Sequence, residues 1–530
     1  MKKLVIFSLI AMMVAGAAFA QEIDIGGYFR VGADVIGGNT EATADGHSTQ
    51  DRLSAGVTGF RGRLNFSAQN DEGTFGGHLR LQQNAGEAFG VKRAWVWWQP
   101  IEMIKFQVGI LDDFYVDEIV NTFGGDAEET GVYNTGTNFV TDQGWSFSRT
   151  GRVKNPDYDP NHPWPFMWDG TTIVIDPDYE PEYIQGTVAG DSINTLDFNT
   201  LMNDAFGELD TVAGAALSLY PIEGLTINLA VPFGKGDGNG TLDWSWEAER
   251  VYKAFFAQAA FEINDIGRVS LGFQGEMGVK RHVTSYNVVQ GMNFDMIADG
   301  SDWGTLYLGF LLGAVENLSL NFGLAFPLPE TQTYDWEDTG ASVSIKDTIQ
   351  RPINIGLGVT FDVNDALGIG ARIGVGLGGS YKTDISLDGA AKAGYEAFFP
   401  TDQDKKENPL SREYKGNTLF GIQILPSYDL GIFKAFLNAG LTITAYADNE
   451  NKDLSIAPKR ADQVGFWVNP YIEKTMGPGS FFCGVDLFTN GQEVDEVETL
   501  LASAKAGKMD YKYKDAVLQW RIPVGMKFSF

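Results

Sequence analysis

The C-terminal stretch "DAVLQWRIPVGMKFSF" (515–530) decides the fold, because it alternates strictly between two kinds of residue. From Leu518 onward every even-numbered position is apolar, whereas the odd-numbered positions hold polar or charged residues, Pro and Gly. A period of two residues places alternate side chains on opposite faces of a β-strand. The chain is therefore predicted to end in a strand with one apolar face and one polar face.

A stretch in the first quarter of the chain, "KRAWVWWQPIEMIKFQVGI" (92–110), repeats this pattern on both sides of a turn. The apolar row before the turn ends at Trp98, whereas Trp95 and Trp97 fall on the opposite face. The proline in "QPIE" cannot donate a hydrogen bond to a neighbouring strand and favours a turn. The stretch predicts a β-hairpin whose apolar face touches either a soluble core or lipid.

Short turns between alternating segments recur along the whole chain, and longer polar connections separate successive hairpins. The eight turns lie in "SAQNDEGTF" near residue 70, "QPIE", "YPIEGLTI" (220–227), "EINDIGRV" (262–269), "GAVENLSL" (313–320), "DVNDALGI" (362–369), "SYDLGIFK" (427–434) and "EKTMGPGS" (473–480). Outer-membrane barrels have tight periplasmic turns on one rim and long extracellular loops on the other. With both chain ends on the short-turn side, eight turns predict 18 strands, and 16 is the alternative if faint strands are miscounted.

The N-terminal residues 1–20 form a predicted secretory signal peptide, with two lysines, an apolar run and an Ala-Phe-Ala cleavage site. Residues 21–530 then form the mature chain, which has no further apolar run long enough for a transmembrane helix. Its single cysteine, Cys483, cannot form an internal disulfide. Closing a sheet into a barrel stabilises an exported all-β chain without disulfides, because no edge strand remains.

The chain resembles the outer-membrane β-barrel porins of bacteria in its general architecture, and the resemblance extends to no substrate-specific family. Members of that class often end in an alternating strand with a terminal Phe that the barrel insertion machinery reads, and Trp520, Phe528 and Phe530 match this signal. The resemblance implies an all-β, transmembrane antiparallel barrel in the outer membrane, with membrane lipid and the insertion machinery as partners. A homo-oligomer is one of the assemblies it allows.

The strand alternation also assigns charged residues to the lumen. Eight cations on six adjacent strands oppose apolar rows, and we call this set the basic arc: Arg30, Arg61, Arg63, Arg80, Arg93, Lys105, Arg521 and Lys527. Such an arc attracts anions and orients zwitterionic solutes, and it resembles the arginine row of general diffusion porins. In the alternative interpretation the cations pair with carboxylates and only stabilise the barrel.

Tryptophans are predicted on both faces of the wall. Trp98, beside a short turn, suits the membrane–water interface. Trp95 and Trp97 face the lumen, where they stack on a solute ring, narrow the pore or simply fill space.

The longest connection, residues 112–210, lies between the fifth and sixth predicted strands and holds 20 Asp and Glu against three Arg and Lys. In general porins the loop after the fifth strand folds into the pore, and the position here is similar. This acidic insertion is expected either to constrict the pore or to cap its outer mouth. The acidic loops are also candidates for Ca²⁺, although no EF-hand spacing is present.

The function that these patterns favour is an outer-membrane porin for passive diffusion of small hydrophilic solutes. A net charge of −30 argues against nucleic-acid binding. The four histidines lack zinc spacing, and no hydrolase or nucleotide signature is present, since "GARIGVGLGG" runs along a strand. We therefore expect no enzyme, no catalytic or metal residues and no cofactor. The alternatives are a surface adhesin anchored by the barrel and a plugged transporter for a specific ligand, although no N-terminal plug domain is evident.

Overall fold

The computed structural model describes most of the predicted wall and parts of its connections. The described residues are 22–43, 46–52, 56–84, 90–111, 114–115, 144–154, 166–168, 173–175, 183–194, 208–209, 212–232, 235–236, 242–243, 255–275, 280–289, 292–301, 304–338, 340–389, 392, 412–416, 418–445, 462–489, 494–498, 510–513 and 518–530. Within them, no helix combines the length and the apolar character that crossing a membrane requires. The predicted signal peptide lies outside this part of the chain.

Eighteen antiparallel strands form one closed sheet, which confirms the larger of the two predicted strand numbers. The strands are β1 (Glu22–Thr43), β2 (Gly56–Gln69), β3 (Phe75–Asn84), β4 (Gly90–Ile101), β5 (Ile104–Leu111), β6 (Val212–Ile222), β7 (Leu225–Pro232), β8 (Phe256–Ile263), β9 (Gly267–Gln274), β10 (Thr305–Val315), β11 (Leu318–Pro327), β12 (Ile353–Asp362), β13 (Leu367–Leu377), β14 (Thr418–Asp429), β15 (Lys434–Ala445), β16 (Gln463–Met476), β17 (Gly479–Gly484 and Asp486–Thr489) and β18 (Leu518–Ser529). Each strand pairs with the next along the chain.

The barrel closes where β18 pairs with β1, from Tyr28 opposite Ser529 to Asn39 opposite Gln519. Phe530 continues this pairing past the end of β18. It exchanges two backbone hydrogen bonds with Gly27, of 2.9 and 3.0 Å. Since every barrel strand has two neighbours, no wall edge is left to pair with another chain.

All eight predicted tight turns join consecutive strands of the barrel, and the nine remaining connections alternate with them. Two turns use a non-glycine residue with positive φ, Asp265 (61°) and Asn317 (63°), both of a type that tolerates this conformation. Because the strands alternate in direction, the tight turns share one rim and the long connections share the other. The longest connection follows β5, as the sequence predicts.

The two faces of the wall differ in the way that the alternation predicts. On β1, Ile25, Phe29 and Val31 are 40–57% exposed, whereas Tyr28 and Arg30 are each only 8% exposed. The same contrast recurs around the barrel, so the outer face is apolar and exposed. The inner face carries the polar and charged side chains.

The acidic insertion contains paired segments that the sequence pattern does not reveal. Gly144–Lys154 pairs with Tyr183–Asn194, and Phe166–Trp168 pairs with Ile173–Ile175. Phe114–Tyr115 also pairs with Glu208–Leu209, and the rest of 112–210 lies outside the described residues. The two predictions for its place, inside the pore or over the mouth, and the calcium expectation therefore stay predictions.

Three other long connections, which follow β9, β11 and β13, together form a six-stranded antiparallel outer sheet. Its strands are Lys280–Val289, Met292–Ser301, Glu330–Asp338, Ala341–Gln350, Ser380–Asp388 and Arg412–Lys415. Tyr334, Val343 and Ile345 share one face of this sheet and are at most 3% exposed. The long connections are therefore not independent of one another.

Candidate functional site

The basic arc centres on β18, β1 and β2, whose register places its cations side by side. The Cα of Arg30 pairs with those of Arg61 on β2 and Lys527 on β18. One row nearer the short turns, Tyr28 pairs with Arg63. Directly paired residues point to the same face of a sheet. Because the intervening apolar residues are exposed outside, these five side chains lie on the inner face.

Tyr28 is the aromatic centre of this group. Arg63 Cζ and Lys527 Nζ each lie 5.1 Å from its ring centroid, and Arg30 Cζ lies 5.8 Å from it. Tyr28 and Arg30 are buried, whereas Arg63 and Lys527 are half-buried. The negative face of an aromatic ring attracts a cation by about 0.5–2 kcal/mol. The ring therefore offsets part of the repulsion among these like charges.

Neutral amides orient two of the arginines. Arg63 Nε donates to Gln82 Oε1 at 3.0 Å, and Arg80 Nε donates to Asn65 Oδ1 at 2.8 Å. Arg80 is also the Cα partner of Arg93 on β4. An amide oxygen accepts a hydrogen bond without a negative charge. These two bonds therefore fix the guanidinium groups without neutralising them.

Trp95 and Trp97 lie on the inner face beside the arc. The rings of His78 and Trp95 stack with centroids 4.4 Å apart, and Lys105 Nζ lies 5.5 Å from the Trp97 ring centroid. A Cβ added at Gly76 would overlap the Trp97 indole, so this ring lies flat against the neighbouring strand. This geometry favours the space-filling interpretation of Trp97.

Arg521, at the edge of the arc, is placed by its backbone alone, since its side chain is outside the described part. Its Cα pairs with that of Asp486 on β17. The Asp486 side chain is fully buried. This end of the arc therefore has an acidic neighbour, in contrast to the amide neighbours of Arg63 and Arg80.

The aromatic residues predicted outside the lumen lie on the outer face. Trp98 is 53% exposed and stacks on Phe106 with ring centroids 5.8 Å apart. Phe528 and Phe530 are exposed and Trp520 is half-buried. Phe530 also stacks on a β1 ring, that of Phe29, at 5.8 Å. Recognition of these terminal residues by the insertion machinery stays a prediction.

A second inner-wall cluster, which sequence reasoning missed, crosses β13 to β16. We call it the polar belt: Arg372, Gln423, Asn438 and Trp467, each at most 4% exposed. Arg372 Nε donates to Gln423 Oε1 at 2.7 Å, and Gln423 Nε2 donates to Asn438 Oδ1 at 2.6 Å. Trp467 Nε1 donates to the same Asn438 oxygen at 2.8 Å. The one signal in the sequence is that Arg372 alternates with inward glycines.

The outer face decides the environment of the chain. Its large apolar side chains are exposed on strands all around a closed sheet, for example Leu271 on β9, Leu357 on β12 and Phe466 on β16. Exposing such an apolar band to water is unfavourable, whereas the hydrocarbon core of a bilayer accommodates it. The chain is an outer-membrane β-barrel. No protein family matches the chain in sequence, and no curated protein does.

Several solved structures align with the chain over nearly its whole length. They include the outer membrane channel DcaP of Acinetobacter baumannii, with 10% identity, a TM-score of 0.37, and coverage of 96% of this chain and 97% of that chain. OccK1 (OpdK) of Pseudomonas aeruginosa has 9% identity and a TM-score of 0.39, and the alignment covers 97% of this chain and 100% of that chain. OmpT of Vibrio cholerae has 9% identity and a TM-score of 0.32, with coverage of 96% of this chain and 97% of that chain. These values assign neither a family nor a solute to the chain.

Proposed function

We propose that this barrel is a porin, a water-filled channel through which small hydrophilic solutes diffuse passively, and that the basic arc makes it prefer anions. The observation that carries the proposal is the convergence of Arg30, Arg61, Arg63 and Lys527 on the inner face of three adjacent strands. A closed barrel of this strand number encloses space for a channel.

The basic arc acts on a passing solute over a limited distance. Mobile ions screen charges over a Debye length of about 8 Å at physiological ionic strength. A solute that passes within that distance of the arc feels several cations together, since the register places them in adjacent rows. A field of one sign in a narrow aqueous path raises the local concentration of anions. Selectivity should therefore follow the charge of the arc.

The test is the single-channel conductance and the reversal potential of the mature chain in planar bilayers under a KCl gradient. Arg61→Gln and Arg63→Gln, alone and together, should reduce the preference for chloride over potassium. Lys474→Gln removes an exposed charge at a short turn and is the matched control. A cation-selective channel would contradict the role of the arc, and folded protein that never conducts would contradict the porin.

We also propose that part of the acidic insertion narrows the pore opposite the basic arc. Its net charge of −17 is complementary to the arc, and it begins directly after β5, the strand that carries Lys105. Leu111 and Val212 are Cα partners on neighbouring strands, so a short Asn-Gly turn can replace residues 112–211 without altering the barrel. The deletion should increase single-channel conductance. Unchanged conductance would favour a cap over the outer mouth.

A further inference from the structure

The Tyr28 hydroxyl is a polar group on the inner wall that the channel proposal leaves unused. It is enclosed, and no described residue forms a hydrogen bond with it. An enclosed hydroxyl without a partner is destabilising, because it has lost its hydrogen bond to water. Such groups in a native structure call for a specific explanation.

The surroundings of this hydroxyl show what kind of partner is missing. Three cationic groups, on Arg30, Arg63 and Lys527, lie over the Tyr28 ring. Arginine and lysine have donors and no acceptor, so none of the three can accept the phenol proton. The group that completes this environment must bring an acceptor for the phenol proton, and three nearby cations favour an acceptor that carries negative charge.

Geometry restricts the class of anion further. Each cation lies within 5.8 Å of the ring centroid, so no two of them are more than about 11 Å apart. An anion beside this ring therefore lies in the field of cations from β18, β1 and β2 at once. The guanidinium plane of Arg63 is already fixed through Nε by Gln82. A fixed guanidinium fork suits the paired oxygens of a carboxylate or phosphate, whereas a halide presents a single sphere.

We propose that Tyr28, Arg30, Arg63 and Lys527 form a binding site for an oxyanion group, in which the Tyr28 hydroxyl donates to one oxygen and the cations neutralise the charge. This inference rests on the porin function and deepens it, because it assigns oxyanions as the preferred class of solute. Tyr28 and the Arg63 fork then favour an oxyanion over chloride together, because separate oxygens of one group can accept from both side chains.

The test compares Tyr28→Phe with the unmodified chain, using inorganic phosphate and acetate as probes. Phosphate block of KCl conductance should need about tenfold more phosphate in Tyr28→Phe, the loss expected for one hydrogen bond to a charged group. The acetate-to-chloride permeability ratio should fall in the same variant. Tyr307→Phe is the matched control, because Tyr307 is another buried inner-wall tyrosine, on β10 away from the arc.

A second readout separates this site from the channel. Phosphate should raise the melting temperature of the purified barrel and of Tyr307→Phe, and this shift should shrink in Tyr28→Phe. A channel that conducts with anion preference, but whose phosphate block and melting shift are the same in Tyr28→Phe, would overturn the oxyanion site and keep the porin. A melting shift that depends on Tyr28 in protein that does not conduct would keep the site and overturn the channel.

Discussion

Gly440, on β15, is predicted to be a position where even one methyl group is too large. A Cβ added there would overlap three ring atoms of Trp467, whose side chain is fully buried and donates to Asn438 at 2.8 Å. Overpacking a close-packed site costs about 1–3 kcal/mol. Displacing the indole from its acceptor inside an enclosed wall adds about 1–3 kcal/mol. Gly440→Ala should therefore lower the free energy of unfolding by about 2–6 kcal/mol.

The assay is urea unfolding of the barrel reconstituted in lipid vesicles, followed by tryptophan fluorescence and by the heat-dependent shift of the folded band on a gel. Gly313→Ala is the matched control, because an added Cβ there meets nothing within 4 Å. That control should change stability by less than about 0.5 kcal/mol.

A double-mutant cycle tests the reason for the effect. In a Trp467→Ala background the overlapping ring is gone, so Gly440→Ala should then cost less than about 1 kcal/mol. If the substitution costs the same in both backgrounds, or costs nothing in the unmodified chain, the packing argument is refuted.

Two other predictions concern the outer face and the closure of the barrel. Leu271→Arg puts a charge on the lipid side of β9, where Leu271 is 59% exposed. The substitution should lower the free energy of unfolding by up to about 2–4 kcal/mol. A loss under about 1 kcal/mol would argue against lipid contact at this position. Deleting Phe530 removes its two backbone bonds to Gly27 and should slow refolding into vesicles, measured as the rate at which the folded gel band appears; an unchanged rate would show that these bonds form after the rate-limiting step.

The wall could be predicted from the sequence because its two signals are local. A period of two residues sets the face of each side chain, and a turn such as the one at Gly224 ends each hairpin. Strand number follows from counting the turns. The inward direction of Tyr28 and Arg30 follows from the exposed residues that alternate with them.

The contacts inside the wall could not be predicted, because they depend on register between strands. The convergence of Arg63 and Lys527 on Tyr28 requires two pairings that join distant parts of the chain. A bulge between Asp34 and Ile36 shifts the register of β1 against β18, and no local sequence pattern predicts that bulge. The polar belt is hidden for the same reason, since Arg372 and Gln423 are 51 residues apart.

Polar composition hid the outer sheet, whose strands carry few large apolar residues. The segment 341–350 does alternate, with Val343 and Ile345 on its buried face. Its neighbours, however, are rich in Ser, Thr and Asp, and those residues are equally typical of loops. These segments form strands because the three connections pair with one another, and not because of their intrinsic β-propensity alone.

The pairing within the outer sheet determines which surface another macromolecule can recognise on this rim of the barrel. Residues from connections as far apart in the chain as Met292–Ser301 and Ser380–Asp388 belong to one hydrogen-bonded surface, linked through Glu330–Asp338 and Ala341–Gln350. An antibody raised against the folded surface would therefore bind a discontinuous epitope, which no synthetic peptide from a single connection reproduces. An insertion or deletion in one connection would disturb its pairing register with the neighbouring connections. These three connections are therefore expected to change together in evolution.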